Sequence, residues 1–189
     1  MLKFIGHAGF MYSTNNEILL MDPWMSKNGA FDSSWYQFPS NHSLGDEIRQ
    51  EIDSTSKEVY IYISHEHKDH FDVDYLKTLN LSKINFITPK FRRDHVASVL
   101  EKLNPKSVTT PIDSEVLKIG KMEIRLFLDD QEIVRDSALG LIDFENDFTF
   151  LNLNDCKVYD RVDELKSIFK KFDVFTCQFS GAVFHPVCY

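Results

Sequence analysis

An apolar run, Val59-Tyr60-Ile61-Tyr62-Ile63, is followed at once by Ser64-His65-Glu66-His67-Lys68-Asp69-His70, which places three of the chain's seven histidines within six residues. The run has the length and β-branched, aromatic content of a buried strand, so its end delivers the histidines to one place. His65 and His67 are one residue apart, and in extended backbone their rings point the same way and can share one ion. Asp69 and His70 are adjacent, so serving the same purpose takes a turn and a second ion. Neutral imidazole and carboxylate are the ligands that a borderline divalent ion such as Zn²⁺ accepts. From ordinary residue frequencies such a cluster arises by chance in on the order of 10⁻⁴ of chains. The spacing predicts a binuclear site. Isolated histidines such as His42 and His95 are instead expected to be surface or hydrogen-bonded residues.

Length and charge narrow the classes. A chain of 189 residues is expected to form one domain with a substantial core, and 43% apolar against 26% charged residues is a globular composition. A net charge of −8 without a lysine or arginine run gives no footprint for a nucleic-acid backbone, so the expected partner is a small-molecule substrate. No stretch is long and apolar enough for a membrane span, and Met1-Leu2-Lys3-Phe4-Ile5 is no signal sequence. Three cysteines, Cys156, Cys177 and Cys188, show no zinc-finger spacing and none of the Cys/His pairing of a Rieske centre; they fit a reducing, cytoplasmic setting.

Taken in order, Leu2 to Ile5, Phe10 to Ser13 and Glu17 to Met21 read as an opening meander. From Pro23 to Ser43 no period is visible, yet Trp24, Phe31, Trp35, Tyr36 and Phe38 crowd there; this predicts a wall or flap over the site, or a packed Ω-type loop. Ser43 is placed to cap a helix over Leu44 to Ile52, and Asp72 to cap one reaching Leu79. A strand at Ile84 to Thr88 and a helix from Phe91 to Leu103 continue a β-α pattern. Strands follow at Val108 to Thr110, Glu115 to Ile119, Met122 to Leu128, Ala138 to Phe144 and Phe148 to Leu153. Asp160 then caps a helix over Arg161 to Phe172, before a strand at Asp173 to Gln178.

At the His65 to His70 segment the chain resembles the metallo-β-lactamase superfamily, whose signature is HxHxDH after a buried strand. Gly6-His7-Ala8-Gly9-Phe10, Leu19-Leu20-Met21-Asp22-Pro23-Trp24, Asp136-Ser137-Ala138-Leu139, Leu151-Asn152-Leu153-Asn154-Asp155-Cys156 and Gln178-Phe179-Ser180-Gly181-Ala182 extend the likeness. They look like the branch that includes the hydrolase-like domain of CMP-N-acetylneuraminate hydroxylase. The resemblance implies an α/β (α+β) αββα sandwich, and a metal-dependent hydrolase acting through a metal-bound hydroxide. It places His65 and His67 on one ion, Asp69 and His70 on the other and Asp155 between them, with Asp69 also orienting the hydroxide. Asp22 would support the metal loop. The ions expected are two zinc ions, with iron or manganese as alternatives.

Two departures bear on that expectation. The superfamily supplies a further histidine before the bridging aspartate, and only His95 stands in that interval here, so Asp130 or Asp136 is a substitute candidate. A last histidine follows a later strand in the family; His185 is the candidate, and the domain is expected to be incomplete at its C-terminal end, completed by a missing segment or a partner chain. His7 is a further candidate facing the site. A non-catalytic metal- or ligand-binding module is the competing functional class.

Overall fold

The computed structural model describes residues 1–131 and 135–178. The opening meander forms as the sequence predicts: β1 (Leu2–Gly6), β2 (Gly9–Ser13) and β3 (Glu17–Met21) pair antiparallel in turn. β4 (Glu58–Tyr62), β5 (Ile84–Ile87) and β6 (Ser107–Thr109) join them in parallel, giving a six-stranded sheet in simple chain order. β7 (Val116–Ile119), β8 (Met122–Asp130), β9 (Arg135–Asp143) and β10 (Phe148–Asn152) build a second, antiparallel sheet. β11 (Val174–Thr176) closes it in parallel beside β10.

Alternation along the strands decides the layering. In β3, Leu19 and Met21 face the second sheet, meeting Ile124, Leu126, Leu139, Leu141 and Phe150 between the sheets. Ile18 and Leu20 face the other way, as do Val59 and Ile61 of β4, and pack under α1 (His42–Ser54) and α3 (His95–Lys102) through Ile48, Ile52, Val96 and Leu100. On the far side of the second sheet, Phe127, Ala138 and Leu151 are covered by Leu165 and Phe169, in and just after α4 (Val162–Ile168). A sheet buried on both faces needs a helix layer outside it, and both sheets have one. The result is the αββα sandwich.

Helix ends depart from expectation. Asn41 rather than Ser43 precedes α1 and makes no side-chain cap bond, while Asn41 Nδ2 is spent on the Ile5 and Trp24 carbonyls. The helix predicted from Phe91 starts only at His95, and the one predicted to Phe172 ends at Ile168. A 3₁₀ turn over Tyr159–Arg161 replaces the predicted Asp160 cap. Asp72 does cap, accepting Tyr75 N–H at 3.0 Å, but α2 (Val73–Leu76) is a single turn and stops short of Leu79.

No helix among the described residues is long and apolar enough to cross a membrane.

Candidate metal centre

The parallel strands β3 and β4 end side by side, and ligand sites in α/β sheets form off such carboxyl ends. Asp22 follows β3 and Ser64 follows β4. Asp22 is buried; its carboxylate accepts Ser64 N–H at 2.7 Å, Ser64 Oγ–H at 2.5 Å and His70 Nδ1–H at 2.9 Å. The Ser64 hydroxyl, having donated to Asp22, accepts from His65 Nδ1 at 2.9 Å. Asp136 on β9 adds a second carboxylate, 3.3 Å from His65 Nδ1. With both Nδ1 atoms engaged as donors, the Nε2 atoms of His65 and His70 are left facing the cluster interior.

Loops from both sheets complete the cluster. The β1–β2 turn holds His7 in the left-handed region at φ 50° between Gly6 and Gly9, and its Nε2 lies 2.9 Å from Asp69 Oδ2. After β10, Asn154 also turns left-handed at φ 50°, which presents Asp155 with Oδ2 3.6 Å from His70 Nε2. His65 Nε2 and His67 Nδ1 converge to 2.8 Å. Two groups result, each with ligand atoms mutually within 4.8 Å: His65, His67 and Asp155, and His7, Asp69 and His70.

The charges are arranged for a cation. Burial disfavours a proton on His70, but the carboxylates of Asp155 and Asp22, with the charge of Asp69, outweigh it and push its pKa up to about 10. His70 holds the Asp155 carboxyl below its ordinary range. Burial raises Asp69, yet the His7 hydrogen bond and the charges of His70 and His7 bring it below its ordinary value. Burial and the neighbouring His65 lower His67, whereas burial raises Asp136 against the pull of His65. His70 Nε2 and Asp69 Oδ1 are buried without a hydrogen-bond partner, a condition that costs about 1–3 kcal/mol per group. A site that draws a proton so strongly while leaving an imidazole nitrogen and a carboxylate oxygen unpaired fits a divalent cation in both charge and donor set.

Of the residues predicted from sequence, the fold brings His65, His67, Asp69, His70, Asp155 and His7 into one cluster. Asp136 stands behind His65, on its outer nitrogen. Asp130, at the end of β8, is not among the grouped residues; its carboxylate accepts Arg92 N–H at 2.9 Å. His95 is exposed at the start of α3, and His185 lies outside the described residues. Sequence reasoning passed over Ser64, although a hydroxyl directly before the first histidine was its visible signal.

The aromatic segment after β3 forms a flap. Its first amides, Met25 N–H and Ser26 N–H, donate to Asp72 at 2.9 and 2.7 Å, and Lys68 Nζ binds Asp32 at 2.8 Å, so both ties run to the histidine segment or its immediate end. Phe31 lies edge-on to His67, with ring centroids 6.2 Å apart, and Trp35 packs on Phe31 at 5.1 Å. Together with Phe4 and Phe10 they wall a cavity of 690 Å³ that contains His7, His67, Asp69 and Asp155.

A family model described as the Beta-lactamase superfamily domain matches residues 1–152. Two curated mycobacterial proteins, provisionally described as Rieske 2Fe-2S iron-sulfur proteins, are similar over 192 residues: that of Mycobacterium tuberculosis (strain H37Rv) is 33% identical and that of Mycolicibacterium smegmatis 31%. Each alignment covers 98% of this chain and 35% of the relative, so the chain spans about a third of the length of the curated relatives it matches. Among solved structures, CmlA, a diiron β-hydroxylase from Streptomyces venezuelae, superposes with TM-score 0.65 at 17% identity over 92% of this chain and 33% of its own. A protein described as a possible metal-dependent hydrolase from Veillonella parvula gives 0.64 at 13% identity over 89% and 68%. Human tRNase Z, short form, gives 0.55 at 16% over 92% and 75%. At such identities these structures speak for the fold, and together with the family match and the four-layer architecture they show that the chain belongs to the metallo-β-lactamase superfamily.

Proposed function

We propose that this chain is a metal-dependent hydrolase of a small-molecule ester, amide or phosphoester, with a binuclear His/Asp centre. The observation that carries this reading is the paired clustering of His65, His67 and Asp155 beside His7, Asp69 and His70, with His7, His67, Asp69 and Asp155 lining an open cavity. In such a pair, divalent cations lower the pKa of water toward neutrality and neutralise charge developing on a carbonyl or phosphoryl oxygen. His65, His67 and Asp155 would hold one cation and His7, Asp69 and His70 the other, with Asp155 reaching across to His70. Asp22, Ser64 and Asp136 fix the tautomers and orientations of His65 and His70. Asp69, with one oxygen on His7 and the other unpaired, is placed to orient a water. Phe31 of the flap lies edge-on to His67, which stays exposed to the cavity. Zinc suits the imidazole count, and the number of carboxylates also admits iron or manganese.

The length share supports a second reading: with relatives about three times as long and described as iron-sulfur proteins, the chain would be a non-catalytic metal- or ligand-binding module of a larger protein.

Elemental analysis of the purified protein, with His67→Ala prepared identically, tests the hydrolase reading. About two equivalents of zinc, iron or manganese, lost in the variant, followed by turnover in an ester, amide and phosphoester screen, is the expected outcome. Metal bound without turnover of any of the three classes favours the module.

A further inference from the structure

The walls of the cavity above the cluster have a chemistry of their own. Four aromatic rings reach it from two elements: Phe4 and Phe10 from β1 and β2, centroids 5.3 Å apart, and Phe31 and Trp35 from the flap. Phe10 is anchored from behind by Phe150 at 5.3 Å. Phe4 and Trp35 are 60% and 55% exposed, so they keep apolar surface available to an occupant. At 690 Å³ the cavity is within the range of small-molecule sites, about 300–1,000 Å³.

Cations are missing from the same walls. No lysine or arginine lines the cavity among the described residues, and residues 132–134 and 179–189 contain none. Lys68, inside the histidine segment, is paired with Asp32, and Arg135 is paired with Glu66 of the same segment. The centre itself would not compensate. Two divalent cations bring four positive charges, and Asp22, Asp69, Asp136 and Asp155 around the cluster bring four negative ones. An anionic substrate would therefore meet neither a wall cation nor a net positive centre, while a flat apolar group would meet ring faces.

We propose, on the reading of the His/Asp cluster as the reacting centre, that the cavity takes an uncharged substrate bearing an aromatic or similarly flat apolar group beside its scissile ester or amide carbonyl. The aromatic group lies between the flap rings and the Phe4/Phe10 pair, and the carbonyl is directed at the His/Asp cluster. Phosphomonoesters, phosphodiesters and carboxylate-bearing esters are disfavoured.

The test uses a matched pair of non-hydrolysable ligands, neutral 2-acetylnaphthalene and anionic 2-naphthoate, titrated calorimetrically into the EDTA-stripped chain and the zinc-loaded chain. The ketone is expected to bind at least about tenfold more tightly than the anion in the stripped chain, where no zinc is present to ligate the carboxylate. Trp35→Ala should weaken ketone binding by about tenfold, and Trp35→Phe should restore most of it. Trp35 is exposed, so its truncation leaves the core intact, and circular dichroism of the variant verifies this. Naphthoate binding as tightly as the ketone in the stripped chain, no ketone binding in either state, or ketone binding indifferent to Trp35→Ala overturns the assignment. Because the stripped chain needs neither metal nor turnover, failure to take up zinc with the ketone preference intact would count against the hydrolase reading alone.

Discussion

The carboxylate of Asp22 accepts both the backbone N–H and the hydroxyl of Ser64, at 2.7 and 2.5 Å. Through that hydroxyl and its own contact with His70, one aspartate at the end of β3 sets the tautomers of two imidazoles that follow β4. Parallel pairing makes this possible, because Met21 lies opposite Tyr62 and the two chains leave the sheet together.

Replacing Asp22 tests that arrangement. Asp22→Asn retains the shape but offers one acceptor oxygen where three donors converge, and metal affinity should fall about 10–100-fold, as for other orienting partners of ligating histidines. Competition with a chromogenic chelator measures it. Asp22→Ala should also destabilise the metal-free protein by about 3–5 kcal/mol in urea unfolding, because a buried acceptor of three hydrogen bonds is removed.

The proton on His70 predicts a pH dependence. Its folded-state pKa of about 10 stands above the ordinary 6.5, so its stabilisation is fully present below pH 6.5 and is lost as pH rises through about 10. EDTA-stripped protein should lose stability across that window, and His70→Gln should flatten the loss. Metal binding at pH 8 should release this proton, visible as a buffer-dependent calorimetric enthalpy that the variant lacks. Equal proton release from wild type and His70→Gln would sink the assignment.

A buried polar chain ties the two sheets at the same end. Tyr62 and Ser137 share a hydrogen bond of 2.6 Å between hydroxyls, Ser137 Oγ–H donates to the Ser64 carbonyl at 2.8 Å, and Asn154 Nδ2–H donates to the Ser137 carbonyl at 3.2 Å. Asn154 directly precedes Asp155, so the chain sets Asp155 beside His70 and within reach of His65. Tyr62→Phe should cost about 0.5–1.5 kcal/mol of stability. It should weaken metal binding more than a surface change of equal destabilisation does, which a comparison of metal affinities at matched stability would reveal.

Gly140 provides the contrasting case, away from the site. A methyl group there would run into the Phe169 ring and come within 3.1 Å of Phe127. Gly140→Ala should destabilise by about 1–3 kcal/mol through overpacking, with metal content unchanged in the folded fraction. Thermal melts and metal analysis of the same sample separate the two effects.

Much of this was legible along the chain. The apolar run that ends at Ile63 predicted the buried strand β4, and short turns at Gly120-Lys121 and Glu145-Asn146-Asp147 join β7 to β8 and β9 to β10. The flap was readable as aromatic residues without a period. Helix starts were less so, because Asn41 was claimed by backbone carbonyls 36 and 17 positions away rather than by its own helix.

By itself the sequence determined the local half of the site: His65, His67, Asp69 and His70 lie within one turn after a strand, where spacing dictates direction. Tertiary structure alone decided the rest. His7 reaches Asp69 across 62 positions and Asp155 reaches His70 across 85, through sheet pairings that no local pattern encodes. The choice between Asp136 and Asp130 is of the same kind. Both are acids at the same end of one hairpin, and strand alternation together with the packing of the two sheets turned Asp136 inward to His65 and left Asp130 to Arg92. Spacing is set by backbone geometry over a few residues, whereas the meeting of distant carboxylates and imidazoles is set by how two twisted sheets bury their shared faces.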